Sequence, residues 1–362
     1  MFILNIIKIF FFHIIYGKIK KIVNISSSSK IKVETKNVTK SEKYKIYKIQ
    51  NARLYTTTVH DVAVILNNEL VPGASFQYRN NKKNQIINGK ILKNIVLKTG
   101  TPKFKKNFSY TIFSLLTGGA GKTSYFHWMF DVLPRLAFLD IKIKKKKDIY
   151  YLLPSLRYNF QKETLKKLNI PLSRCLSSDH YKHVSCDNLI VTDHPYTFNN
   201  DPSKSILHIP NWIINWLKLN LFYKTKIKNF YPKKIYIDRS DSEFSKSRYI
   251  INEEEVKNFL KFNNFSFVSL STKSFEEQVK IFQNANTIVG LHGAGFSNII
   301  FSRPGSKVIE LQSKTAGDVI KNLAIKCKLN YKRLSTPSTD KNLPYQFGSI
   351  YVNISKLRNL IL

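Results

Sequence analysis

Residues 287–311, TIVGLHGAGFSNIIFSRPGSKVIEL, set His292 among Gly290, Gly293 and Gly295, between two apolar runs that read as strands. Glycines let a backbone come close to a ligand. A helix beginning near Phe296 would aim N–H groups at an anion, and phosphate is the usual one. His292 can donate a hydrogen bond to the same group. The glycine spacing is not the Gly-x-Gly-x-x-Gly of dinucleotide sites, and a tight turn around a satisfied histidine explains the same residues. Glu310 closes the second run. A carboxylate there suits the two hydroxyls of a ribose, and it suits a plain ion pair equally well.

Arg239 ends the strand-like KKIYID, and Arg248 follows nine residues later. The chain has 59 basic residues, of which 49 are Lys and 10 are Arg, so each Arg is a marked choice. A guanidinium offers a rigid fork that matches phosphate. His127 and Asp131, four apart in SYFHWMFDVLPRLAFL, share one face of a helix. They can serve as a proton-accepting pair, as two metal ligands, or as a helix-stabilising pair. Gly121-Lys122-Thr123 imitates a phosphate-binding loop, but that motif needs Gly at position 116, which is Leu. His180, His183 and Cys186 have metal-like spacing without a fourth ligand, and read as a surface loop.

The positions around these residues set the scaffold. At 362 residues and 43% hydrophobic content, the chain holds two ordinary folded domains. Its net charge of +36 comes from Lys spread along the whole length, densest at Lys144–Lys147. A nucleic-acid binder clusters its charge on one element, so the spread points instead to compositional bias and a solvated basic surface attracted to polyanions or anionic membranes. Three cysteines give no disulfide framework and fit a reducing compartment. The opening MFILNIIKIFFFHIIY is shorter than the ~20 residues of a membrane span. It reads as an interfacial anchor or a buried first element.

Residues 24–50 are polar and read as a linker. An antiparallel β region follows, with DVAVIL (61–66), GASFQY (73–78) and a hairpin turn at Asn88-Gly89-Lys90. YTIFSLL (110–116), IYYLLP (149–154) and NLIVT (188–192) read as strands, and 124–139, about 157–168 and 211–222 as helices. Beyond that, strands 233–239, 265–270, 287–290 and 307–311 alternate with helices, as a parallel sheet requires. Asn252/Glu255 and Ser274/Glu277 mark two helix starts. The division expected is residues 1–50 as apolar segment and linker, 51–225 as one domain, and 226–362 as a second.

Taken in order, Tyr125, His127, Trp128, Asp131, Leu133-Pro134-Arg135-Leu136, Arg239, Arg248, Glu277-Gln278, Gly290, His292-Gly293-Ala294-Gly295, Asn298 and Glu310 resemble glycosyltransferase family 61 over about residues 110–315. This family includes EGF-domain O-GlcNAc transferase-like and plant xylosyltransferase-like enzymes, and a bacterial branch is expected here. The resemblance implies an α/β GT-B fold of two Rossmann-like domains facing a cleft. It implies inverting transfer of a sugar from a nucleotide-sugar donor, expected to be a UDP-sugar, to a glycan, glycolipid or protein-linked acceptor in surface polysaccharide synthesis. No cofactor and no metal are expected. Asp131 is the expected base, with His127 second. Arg239, Arg248, His292, Gly293, Ala294 and Gly295 are expected to hold the donor diphosphate. Glu310, Asn298 and Gln278 are expected to hold the ribose or support the site. Other expected properties are a cytoplasmic location with peripheral membrane association and no specific nucleic acid, with a secretory-pathway anchor as the alternative. The rival classes are a basic nucleic-acid binder and a catalytically silent domain of the same fold.

Overall fold

The computed structural model describes residues 2–57, 61–77, 91–116, 121–140, 148–196, 202–223, 231–240, 248–339 and 347–362. The turn expected at 88–90, the lysine run 144–147 and residues 117–120 of the glycine-rich stretch lie outside them. The chain divides into two compact units, Met1–Ile206 and Leu207–Leu362.

In the first unit a helix, Phe2–Tyr16, precedes the strands β1 (Lys21–Ile22), β2 (Ile31–Asn37), β3 (Lys43–Tyr55), β4 (Asp61–Leu66), β5 (Glu69–Leu70), β6 (Phe76–Gln77), β7 (Lys106–Ser114), β8 (Ile149–Leu153), β9 (Cys175–Ser177) and β10 (His183–Thr192). They form one sheet in the order β1-β5-β4-β3-β10-β7-β8-β9, with β2 on β3 and β6 on β4. The strands β10-β7-β8-β9 run parallel, while β3 pairs antiparallel with β10, β2 and β4. All four parallel strands therefore end on one edge of the sheet.

Residues 24–50 are not a linker. KYKIYKIQ alternates, burying Tyr44, Ile46, Tyr47 and Ile49 in β3, so the lysines mark the outward positions of a half-buried strand. Nor do His183 and Cys186 lie in a surface loop; both are buried in β10. Among the described residues no helix is long and apolar enough to cross a membrane.

The second unit opens with the helix Asn211–Leu221 and holds β11 (Lys234–Asp238), β12 (Ser266–Ser269), β13 (Thr287–Leu291), β14 (Lys307–Ser313) and β15 (Asn330–Thr336). All pairings are parallel, in the order β12-β11-β13-β14-β15. Tyr236, Val289, Leu291, Ile309 and Leu311 pack on one face against Val256, Leu260 and Leu357 from the helices Glu253–Phe262 and Ile354–Ile361. The connection from β11 goes to one side of the sheet and the chain returns to β13 on the other. The carboxyl ends of β11 and β13 thus flank the topological switch point, where open α/β sheets bind ligands.

Helix starts behave differently from one another. Ser274 and Glu277 form the expected capping box of the helix Phe275–Asn284, each side chain taking the other's backbone N–H. Asn252 instead bonds the Glu255 carboxylate and both backbone groups of Val352, tying the first turn of its helix to the C-terminal segment.

Candidate functional site

Two groups of residues collect at strand ends, one in each unit. In the second unit, β13 runs into His292 and Gly293, followed by a 3₁₀ helix, Ala294–Phe301. The His292 N–H extends the ladder to the Leu311 carbonyl at 2.8 Å, and its own carbonyl accepts from Arg239 Nη1 at 3.0 Å. The three glycines have separate reasons. A Cβ on Gly290 would press on Ile237 and the Phe296 ring, and one on Gly295 would meet Leu270 Cδ1 at 2.8 Å, so both sit in tight packing. A Cβ on Gly293 would lie 1.6 Å from Arg239 Nη1 and 3.6 Å from Arg248 Nη2. Gly293 is the point on which both guanidinium groups converge.

The two guanidinium groups are close enough to act on each other. Burial pushes the Arg248 guanidinium down to about 9; the Arg239 charge pushes the same way, and Glu310 opposes them. An anion bound between the two would relieve this repulsion. The N–H groups at the start of the 3₁₀ helix add to the attraction. They belong to Ala294 and Gly295 rather than to Phe296, whose N–H is taken by the Gly293 carbonyl at 3.1 Å.

Glu310 is completely buried, and both its oxygens are engaged: Oε1 with His292 Nδ1, and Oε2 with the Tyr331 hydroxyl. It fixes the imidazole. Asn298 donates to Gln278 Oε1 at 3.0 Å, and Gln278 donates onward to the carbonyls of Leu270 and Lys273. Both brace the turn from behind. These residues thus separate into those at the switch point, Arg239, Arg248 and Gly293–Gly295, and a supporting set of Glu310, Tyr331, Asn298 and Gln278.

In the first unit the segment after β7 is helical but irregular: an α turn, Tyr125–His127, then a π turn, Trp128–Val132, then a 3₁₀ stretch, Leu133–Phe138, with Pro134 as its second residue. Such π insertions are common at functional sites. Trp128 anchors the segment, its indole N–H donating 2.9 Å to Thr164 of the helix Asn159–Lys167. Arg135, fully buried, reaches the Asp131 carbonyl and, more distantly, the Thr192 carbonyl at the end of β10.

His127 and Asp131 are paired, Nδ1 to Oδ2 at 2.7 Å. The rest of the carboxylate's surroundings come from beyond β10: the Tyr196 hydroxyl donates to Oδ1, and His194 Nε2 stands 3.7 Å from Oδ2. Burial pushes the Asp131 carboxyl up, but the charges and hydrogen bonds of His127 and His194 outweigh it and hold it well below the usual range. Burial pushes His194 down, partly offset by Asp131. Asp131 is 2% exposed, whereas the His127 side chain is 26% exposed. His194 and Tyr196 escaped the sequence reading. The signal was Asp193-His194-Pro195-Tyr196 directly after a strand, which becomes meaningful once β10 is known to lie beside β7.

Nearby, Lys122 pairs with Asp179, which also accepts from Ser155 at 2.7 Å and Ser177 at 3.2 Å. The imitation phosphate loop is therefore tied down as structure. Among the described residues, no group of three or more His, Cys, Asp or Glu is arranged to hold a metal ion.

A doubly wound α/β unit with paired arginines at its switch point lies on a chain that also carries an acid–imidazole dyad. The profile of the family Glycosyltransferase 61 matches residues 125–309, which take in both the dyad and the arginine pair. The chain belongs to that family and is a glycosyltransferase. No curated protein matches it significantly.

Proposed function

We propose that the protein is an inverting, metal-independent glycosyltransferase of the GT-B class, with donor chemistry in residues 207–362 and acceptor chemistry in residues 1–206. The observation that carries the donor assignment is the convergence of Arg239 and Arg248 on Gly293 at the switch point. A nucleoside diphosphate-sugar supplies the dianion that this pair accommodates. As the bond from the anomeric carbon to the diphosphate oxygen breaks, charge grows on the leaving diphosphate. The two guanidinium groups and the N–H groups of Ala294 and Gly295 stabilise it, and each such preorganised donor is worth about 3 kcal/mol.

Inversion is a single in-line displacement, so the acceptor hydroxyl must give up its proton as it attacks. The surroundings of the dyad support the opposite order from the one expected from sequence. Asp131 is buried, surrounded by three donors and acid-shifted, which makes it a weak proton acceptor. His127 is the base, through Nε2, and Asp131 orients the ring and stabilises the imidazolium that forms. His292 is held by Glu310 beside the arginines and contacts the diphosphate. UDP is the expected nucleotide and a glycan or glycolipid the expected acceptor.

The test is a panel of nucleotide sugars incubated with the protein in EDTA, with nucleotide release and the anomeric configuration of the product read by NMR. Release from one donor, with inverted product and loss of turnover in His127→Ala, supports the reading. Retained configuration, or turnover restored only by a divalent cation, contradicts it.

A further inference from the structure

The helix Phe2–Tyr16 is divided lengthwise. Ile9, Phe12, His13 and Tyr16, at the spacing of one helical stripe, face the protein. The Phe12 ring packs edge-on against Phe104, and Tyr16 packs against His183. The Tyr16 hydroxyl accepts the Lys105 N–H at 2.9 Å, and its carbonyl accepts from Arg53 at 3.2 Å. His13 lies against Gly100, where a Cβ would come within 2.5 Å of the ring. The helix is thus docked along one side.

The opposite side is bare. Eight of its apolar side chains are 45–72% exposed, Ile3, Leu4, Phe10 and Ile14 the most, and Phe104 extends the patch at 75%. Such a continuous apolar surface marks an interaction site. Its border is cationic: Lys8 on the helix, exposed Lys18, Lys20 and Lys21 after it, and exposed Lys103 beside Phe104. Lys8 is near enough to Lys103 to be the largest cause of that residue's lowered pKa, ahead of burial and Lys182. The first 33 residues contain six lysines and no acidic residue.

We propose that this helix is a monotopic membrane anchor that lies in the plane of an anionic lipid surface, its apolar face among the acyl chains and its lysine border on the headgroups. Fifteen residues rise only about 22 Å, less than the ~30 Å of a hydrocarbon core, so the helix fits along the interface better than across it. Docking of the opposite side on the domain holds it in that orientation. A second copy of the chain would bring two lysine borders together, whereas phosphatidylserine neutralises them. The inference stands on this helix alone and is independent of the transfer reaction.

The experiment is co-sedimentation of the full chain with phosphatidylcholine vesicles containing about 30% phosphatidylserine, beside vesicles of phosphatidylcholine only, with size-exclusion chromatography of the free protein. Two variants are compared: Ile3→Gln/Ile7→Gln/Phe10→Gln/Ile14→Gln on the bare face, and Lys18→Glu/Lys20→Glu/Lys21→Glu on the border. Wild type should bind the anionic vesicles, more weakly as salt rises. The apolar variant should lose at least about tenfold in partitioning, and the lysine variant should lose the preference for phosphatidylserine. Undiminished binding by both variants overturns the proposal. So does wild type that ignores vesicles, including wild type that elutes as a dimer made monomeric by the apolar substitutions.

Discussion

Gly293→Ala is the most informative single change in the proposed donor site. The new methyl would fall 1.6 Å from Arg239 Nη1 and 2.9 Å from its Cζ, so the guanidinium must leave. The backbone at Gly293 is extended, with φ 166° and ψ 178°, so the substitution adds no backbone strain of its own. The atom displaced is the far end of a flexible side chain, and the intramolecular loss includes the Arg239–His292 carbonyl hydrogen bond, about 1 kcal/mol. Melting should therefore drop by only a few degrees. Donor binding should suffer more. A charge-assisted contact to the diphosphate is worth about 1.5–3 kcal/mol, a loss of roughly ten- to hundredfold in Kd. Because the effect runs through Arg239, the double variant Gly293→Ala/Arg239→Ala should bind no more weakly than Arg239→Ala alone, a non-additivity expected of groups in direct contact. Calorimetric titration with a nucleoside diphosphate reads all four forms. Wild-type affinity in Gly293→Ala, or additive losses in the double variant, would refute the placement of the diphosphate at this point.

Other expectations follow from the same geometry. His127→Ala and Asp131→Asn should each lower kcat by about 10²–10⁴ while nucleotide affinity is unchanged; wild-type turnover in Asp131→Asn would remove the dyad from the mechanism. Tyr331→Phe deprives the buried Glu310 carboxylate of a donor and should cost about 1–3 kcal/mol in urea unfolding; an unchanged midpoint contradicts that support role. Burial pushes His183 down to about 4 from 6.5. The unfolded chain therefore takes up this proton first as pH falls. The stability at stake is fully present above about pH 7 and is lost between 6.5 and 4, up to ~3 kcal/mol. His183→Gln should flatten that decline in unfolding measured at pH 7 and pH 4.5; parallel declines in the two proteins would show the histidine is not buried neutral.

The strands β11 to β14 were legible in the sequence because a parallel sheet covered on both faces writes its strands as short continuous apolar runs. Strand β3 was not. Its alternation is carried by Lys, Ile and Tyr, and in a chain this rich in lysine the outward residues gave it the look of a linker. The site was legible as residue types rather than as roles. His127, Asp131, Arg239, Arg248 and His292 could be picked out from chemistry and spacing. Which of His127 and Asp131 takes the proton depends on His194 and Tyr196, some 65 residues away in sequence and brought near only by the pairing of β10 with β7. The engagement of Glu310 by Tyr331 was hidden because Tyr331 lies in a strand with no clear periodic signal. Burial and partners decide such roles, and neither is written locally.

The central claim, a nucleotide-sugar site built on the β11–β13 switch point, is tested most directly by calorimetric titration of UDP, GDP, CMP and dTDP into the full chain in EDTA, beside Arg239→Ala and His292→Ala. The account predicts micromolar binding of one nucleotide, UDP foremost, weakened at least about tenfold in both variants. Equal binding by all three proteins, or no binding of any nucleotide by wild type, would contradict it.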